Sequence, residues 1–281
     1  MKFLGSIIFA AILVLLSGCV ALVVSEKALI RPTVGEKLTN STSIDGRWTI
    51  SSLDLPREDG VTLYAAQFSR PDAKALVLYF GGNVSTVSKL YQRILDVYAP
   101  HPVDVLIVDH RGYGGSSGVA SLDALMRDAV QTYDFARAMP QYKGKPIIVH
   151  GLSLGSFLAG EVAKNRTLDA LVLEASATTA EDWVQGFVDN SVLVRRGVVE
   201  GSLKGRGNLD LMQTLDEPVL IVVGKNDKTT RSEMSSQLYA AAKVDETRKE
   251  LLIVPDAGHG DAANSKEYKE AFARLVAKIK R

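Results

Sequence analysis

The chain has 281 residues, 46% of them hydrophobic and 23% charged, with a formal net charge of +1. That length buries one large core, and an α/β architecture of this size forms a single domain. The near-neutral balance leaves no basic surplus to hold a polyanion, which argues against nucleic-acid binding. A single cysteine, Cys19, excludes an internal disulfide and a cysteine-based metal site.

The chain opens with Lys2 and an apolar run from Phe3 to Leu16, closed by Leu16-Ser17-Gly18-Cys19. A positive start, an apolar stretch and small residues before a cleavage point are the order of an export signal. The L-S-G-C ending resembles a bacterial lipobox. That resemblance implies a signal peptide over residues 1–18 and lipidation of Cys19 as the mature N-terminus. Two other readings stay open. The apolar character continues to Val24, so Phe3 to Val24 is long enough for an uncleaved membrane anchor. Cleavage at an unrelated site leaves a free thiol. The first two readings agree that the body is exported and held at a membrane surface, on the periplasmic or outer side of a bacterial cell. Loss of Lys2 with the leader makes the body formally neutral, so attachment is hydrophobic rather than electrostatic.

Residues 19–46 read as a membrane tether, since Pro32, Gly35, Asn40 and the Ser/Thr cluster from Thr39 to Ser43 break any periodicity. From residue 47 to 281, strands and helices alternate. Arg47 to Leu55 and Val61 to Phe68 form a hairpin across Asp59-Gly60. Ala75 to Phe80 and Val103 to Asp109 are buried strands flanking a helix from Thr86 to Tyr98. A long helix runs from about Ser121, its cap, to Met139, just before Pro140. The apolar runs Pro146 to His150, Ala170 to Glu174, Pro218 to Val223 and Glu250 to Val254 complete the strands. Helices from Ser232 to Lys243 and from Ser265 to Lys280 fill the last gaps. Val-, Ile- and Leu-rich runs separated by helices mean a mostly parallel sheet covered on both faces. The stretch from about 176 to 215 is too long for a simple connection and reads as a small helical cap, with Trp183 and Phe187 as its apolar members. Its adjacent Arg195 and Arg196 fit a solvated face better than a substrate contact.

Gly151-Leu152-Ser153-Leu154-Gly155 is a G-x-S-x-G pattern between a strand and a helix, the context of a nucleophile elbow. Serine there occupies strained backbone, and glycines two before and two after let strand and helix pass closely. A serine hydroxyl attacks an ester at neutral pH only with a base to take its proton and a group to orient that base. Of the four histidines, His101 sits at an amino-side turn, His110 follows a strand and His150 packs within one. Only His259, between the last strand and the last helix, has the loop position of a base. Asp227, directly after the Pro218 to Val223 strand, is the orienting acid. Glu174 is the runner-up, with burial among backbone amides as its alternative role, and Asp261 reads as a cap of the final helix. The developing oxyanion needs two N–H donors. They are assigned to the amides of Leu154 and of Asn83 in the Gly81-Gly82-Asn83 loop, with Gly82 as the near alternative.

Together these pieces resemble the α/β-hydrolase superfamily, in particular its small exported or membrane-tethered serine hydrolases. The resemblance rests on Leu78 to Asn83, on Asp109-His110-Arg111-Gly112-Tyr113-Gly114-Gly115-Ser116-Ser117-Gly118, and on the Ser153, Asp227 and His259 loops. The order Ser, Asp, His is the one this fold uses. The resemblance implies an α/β fold with a mostly parallel eight-stranded sheet, helices on both faces and an active site under a cap. It further implies a cofactor-free and metal-free serine hydrolase acting on a small-molecule acyl substrate, a carboxylic ester or else a thioester or amide. Members of this kind often carry His-Gly where this chain has Gly81-Gly82. Two alternatives follow: a tethered binding protein that has lost turnover, and an acyltransferase using the same residues.

Overall fold

The computed structural model describes residues 12–16, 19–42, 46–189 and 194–279. The strands are β1 (Ile12–Leu16), β2 (Cys19–Val24), β3 (Ser41–Thr42), β4 (Thr49–Pro56), β5 (Thr62–Ser69), β6 (Ala75–Phe80), β7 (Val103–Val108), β8 (Ile147–Leu152), β9 (Ala170–Glu174), β10 (Val194–Val199), β11 (Val219–Gly224) and β12 (Lys249–Val254). The helices are α1 (Glu26–Leu29), α2 (Val87–Tyr98), α3 (Leu122–Ala138), α4 (Leu154–Asn165), α5 (Ala180–Val188), α6 (Leu209–Met212), α7 (Ser232–Ala241) and α8 (Lys266–Ala277).

The main sheet has the order β12-β11-β9-β8-β6-β7-β5-β4-β3. From β12 to β7 every pairing is parallel, and β5, β4 and β3 continue antiparallel. Eight strands form its body, and β3 adds a two-residue edge. The α/β-hydrolase expectation of a mostly parallel eight-stranded sheet with helices on both faces therefore holds. Every residue of β6, β7, β8 and β11 is buried, which is why they read as unbroken apolar runs. Alternation survives in where each side chain goes. Leu76, Leu78 and Phe80 pack into the core under α3 and α4, whereas Val77 and Tyr79 pack with Ile94 of α2 and Phe272 of α8.

The helix boundaries follow side-chain capping. Ser121 accepts from the amide of Ala124 at the start of α3, and Thr179 accepts from that of Asp182 at the start of α5. At α8 the cap is Ser265, which accepts from the amide of Tyr268. This corrects the assignment of Asp261 to that role. Asp261 lies before a short 3-10 turn at Ala262–Asn264, and its side chain makes no cap bond.

Two segments differ from the sequence reading. Residues Ile12–Leu16 and Cys19–Val24 are an antiparallel pair, and β2 also pairs in parallel with β10. Residues 1–11, 17 and 18, which carry most of the expected signal peptide, lie outside the described residues. Among the described residues no helix is long and apolar enough to cross a membrane. The segment read as a tether lies against the domain: Val24 and Ile30 are buried, and the amide of Gly114 donates to the carbonyl of Thr33 at 2.8 Å. The cap is mixed rather than purely helical, being α5, β10 and α6. Its pairing partner β2 is far away in sequence, so local periodicity carries no sign of it.

A buried ion cluster pins the antiparallel end. The Asp128 carboxylate on α3 accepts two bonds from Arg111, each 2.8 Å, and lies 3.5 Å from Nε of Arg57 in the β4–β5 turn. Arg111 also donates to Asp59 at 2.5 Å. Removing the carboxylate leaves two guanidinium groups without their buried counter-charge. Asp128→Ala is therefore expected to lose about 3–5 kcal/mol in urea denaturation; a loss below about 1 kcal/mol would show that water replaces the carboxylate freely.

Candidate active site

Parallel strands deliver their carboxyl ends to one edge of the sheet, and the candidate residues sit on the loops that leave it. β8 ends at Leu152, α4 begins at Leu154, and Ser153 between them has φ 53° and ψ −116°. This is a left-handed conformation that a non-glycine residue holds only when its surroundings force it. The forcing contacts are backbone to backbone. A Cβ on Gly151 would stand 2.2 Å from the carbonyl oxygen of Gly155, and one on Gly155 would stand 2.1 Å from that of Phe80. The Ser153 amide donates to the carbonyl of Glu174 at 2.9 Å.

His259 comes from the loop after β12, with Nε2 at 3.0 Å from Oγ of Ser153. Its Nδ1 lies 2.8 Å from Oδ2 of Asp227, which follows β11. Asp227 is buried and well supplied with donors. The amides of Thr229 and Thr230 donate to Oδ1 at 2.7 and 2.8 Å, and the Thr230 hydroxyl donates to Oδ2 at 2.8 Å. Burial by itself would push this carboxyl up, but the bond and charge of His259 with the Thr230 donors hold it below the usual range. Asp227 is therefore a carboxylate at neutral pH and can hold the imidazole with its proton on Nδ1, leaving Nε2 free to accept from serine. Thr229 and Thr230 escaped the sequence reading: their amides close an Asx-type turn on Asp227, which an aspartate forms with any residue at those places.

The oxyanion candidates flank the same serine. The Leu154 amide is the first of α4 and so has no acceptor within its helix. Gly82 passes close by, since a Cβ there would lie 3.4 Å from Cβ of Ser153. Gly82, Asn83, Ser153, Leu154 and His259 all line one cavity of about 370 Å³. Its walls are mainly apolar, with Leu90, Phe157 and the cap residues Trp183 and Phe187 among them. Arg196, by contrast, is exposed and away from the cavity lining; the Arg195 side chain and that of Cys19 lie outside what is described.

The structure does not bring Glu174 to His259. Glu174 is fully buried, accepts from Arg93 at 2.8 Å and from the amide of Ala263 at 3.1 Å, and lies 3.2 Å from Nε2 of His150. Burial would raise its carboxyl, but the Arg93 charge foremost, with His150 and Ala263, holds it at about 2. Arg93 also donates to Asn264 and to the hydroxyl of Tyr79. Glu174 thus holds the serine through its carbonyl and the His259 loop through its side chain. Burial pushes His150 down and keeps the ring neutral, with Nδ1 2.5 Å from the Tyr98 hydroxyl. His110 is likewise buried and lowered by burial, and its Nε2 lies 2.8 Å from the carbonyl of Gly81.

The family model Hydrolase_4, described as serine aminopeptidase, S33, matches residues 71–196, a span that includes Ser153 and stops before Asp227 and His259. Protein bem46 of Schizosaccharomyces pombe is 23% identical over 267 residues, covering 90% of this chain and 86% of that protein. The alpha/beta hydrolase domain-containing protein WAV2 of Arabidopsis thaliana is 24% identical over 222 residues, covering 74% and 71%. Among solved structures, the Pyrococcus furiosus esterase Pf2001 superposes with a TM-score of 0.68 at 17% identity, covering 88% of this chain and 99% of that one. These likenesses show the fold of the α/β hydrolases and support a hydrolase of the esterase-like kind.

The Glu174 carboxyl titrates lower in the folded chain than its usual 4.5. Its ionised form therefore stabilises the fold above that usual value, and the contribution is lost as pH falls toward about 2. The stability gap between wild type and Glu174→Gln is expected to be widest near about pH 7 and to close steadily below about pH 4.5. Denaturant midpoints measured across that range check this, and a gap independent of pH would refute it.

Proposed function

We propose that this protein is a serine hydrolase that cleaves a carboxylic ester through an acyl-enzyme formed on Ser153. The observation that carries the reading is the continuous chain of contacts from Ser153 through His259 to Asp227, opening into an apolar cavity. In the first half-reaction Nε2 of His259 takes the Ser153 proton as Oγ attacks the acyl carbon. The tetrahedral oxyanion meets the amides of Leu154 and Asn83, and the ionised Asp227 stabilises the imidazolium. Collapse breaks the bond to the alcohol oxygen, which leaves with the proton from His259. Water then enters, gives its proton to the same nitrogen, attacks the acyl carbon and releases the acid with Ser153 restored. The cavity favours an apolar acyl group, because most of its wall is apolar, with Leu90, Phe157, Trp183 and Phe187 available to cover the chain.

Wild type is expected to be labelled by a fluorophosphonate probe and to hydrolyse p-nitrophenyl esters. Ser153→Ala should abolish labelling and lower kcat by about 10⁴-fold or more, and Asp227→Asn should lower it on the order of 10³–10⁴-fold. Unlabelled wild type, or equal labelling of Ser153→Ala, would sink the reading.

Export and lipid attachment through Cys19 belong to the same proposal, supported by Leu16-Ser17-Gly18-Cys19 after an apolar run. Cleavage before Cys19 removes β1 and retains β2, which keeps its pairing with β10. Metabolic labelling with a palmitate analogue is expected in wild type and absent in Cys19→Ala; equal labelling of the two would refute it.

A further inference from the structure

The loop that carries Gly82 and Asn83 is held by a part of the chain that no catalytic pattern marks. The Asn83 side chain turns away from the serine and binds the N-terminal segment. Its Nδ2 donates to the carbonyl of Leu29, and its Oδ1 accepts from the amide of Arg31 at 3.0 Å. The same Oδ1 accepts from the Tyr113 hydroxyl at 2.9 Å and from the amide of Val84 at 3.2 Å. Val84 has φ 58°, a left-handed backbone that a β-branched residue holds only under constraint. The Ser85 amide closes the turn on the carbonyl of Gly82 at 3.2 Å, and the Asn83 side chain holds the Val84 amide within it. From below, His110 contacts the carbonyl of Gly81.

The segment that receives Asn83 is itself fixed at both ends. On one side, β2 pairs with β10 of the cap, the amide of Glu200 donates to the carbonyl of Val24 at 3.1 Å, and Ser202 bonds to Glu26. On the other, Ile30 is buried in the main core and Thr33 accepts from Gly114. Between these anchors Ala28, Leu29 and Arg31 form part of the cavity wall.

We propose that residues Val24 to Val34 are a positioning element of the active site: a strap that clamps the Asn83 side chain and so keeps the Gly82–Asn83 amides aimed at the oxyanion. The proposal rests on the hydrolase reading above. Its chemistry is transition-state chemistry, because a misaimed amide weakens the oxyanion contact more than substrate binding. The chain before Val24 is then connected to the oxyanion loop through the docked backbone from Val24 to Arg31.

The strap contacts Asn83 through backbone groups, so the informative pair of variants in the full chain is Arg31→Pro and Arg31→Ala. Proline removes the amide donor, and the extended backbone of Ile30 (φ −81°, ψ 116°) already suits a residue before proline. Alanine removes only the guanidinium. Arg31→Ala serves as the reference that has already lost the guanidinium: relative to it Arg31→Pro is expected to lower kcat about tenfold or more with KM changed less than about twofold, and Asn83→Ala is expected to do the same relative to wild type. The double variant Arg31→Pro/Asn83→Ala should lose little beyond Asn83→Ala alone, because both remove one clamp. Faster hydrogen exchange at residues 82–85 in Arg31→Pro is a readout independent of turnover. If Arg31→Pro fails to fold, Ile30→Ala loosens the strap more gently and should give a smaller fall in kcat with the same unchanged KM. A kcat in folded Arg31→Pro equal to that of Arg31→Ala, multiplicative losses in the double variant, or unchanged exchange at 82–85 would overturn the strap. A wild type without esterase activity or Ser153 labelling overturns the hydrolase reading instead, and the exchange comparison still decides whether the strap holds the loop.

Discussion

The left-handed backbone at Ser153 is the constraint on which the rest of this molecule turns. Serine can be presented at the sheet edge only if β8 and α4 come within contact distance, and they do so because Gly151, Gly155 and the carbonyl of Phe80 leave no room for a Cβ. That approach fixes where β6 ends, and therefore where the loop from Gly81 to Ser85 must start. It also places the Ser153 amide on the carbonyl of Glu174, so the end of β9 is tied to the elbow. Strain of this kind costs on the order of 1–3 kcal/mol per residue and needs rigid neighbours. The described residues include three non-glycine positions of positive φ, Val84, Ser153 and Ala175, and all three follow strands at this edge.

Rigidity here comes from buried polar groups that each tie two loops. Glu174 joins the elbow to the stretch after His259, with Arg93 of α2 supplying the charge that keeps it ionised. Asp109 accepts from the amides of Val87 and Gly115, joining the start of α2 to the loop after β7. Asn208 donates to the carbonyl of Ser156 and to the Ser176 hydroxyl, both at 3.0 Å, fixing the return of the cap to α4. Each group is costly to leave unpaired in a low-dielectric interior. Loss of any one should therefore disturb the geometry of loops that its own residue never touches.

How far the sequence reveals this depends on the range of the interaction. The strands of the main sheet and their flanking helices are legible because complete burial makes each strand an apolar run and because glycine, proline and serine mark the boundaries. Ser153, Asp227 and His259 are legible because each stands just past a strand end, and the structure brings all three within hydrogen-bond distance. The D-x-R-G-x-G stretch is legible as a pattern but not as a function: Asp109 and Arg111 prove to be buried ties between loops. Thr230, Arg93 and the amide side chain of Asn83 act on atoms remote in sequence or through side-chain geometry, for which periodicity has no signal. The same holds for β2 and β10, whose pairing crosses most of the chain; taken alone, an apolar stretch such as Cys19 to Val24 serves equally well as leader, span or strand.

The N-terminal segment shows why that blind spot matters to chemistry. A stretch containing Pro32, Gly35 and Asn40 has the composition of a linker, and composition predicts freedom wherever no partner is in view. Here partners exist on three sides: the cap through Val24, the core through Ile30 and the loop after β7 through Thr33. Docking removes the freedom that composition allows, and the ordering cost is offset by burial of Val24 and Ile30. Once docked, its carbonyl at Leu29 and amide at Arg31 become fixed dipoles beside the Asn83 side chain. On the hydrolase reading proposed above, fixed dipoles are the support that its oxyanion loop requires, since catalytic amides gain most when they need no reorganisation at the moment charge develops. On that reading, residues Val24 to Val34 are part of the working geometry of the site.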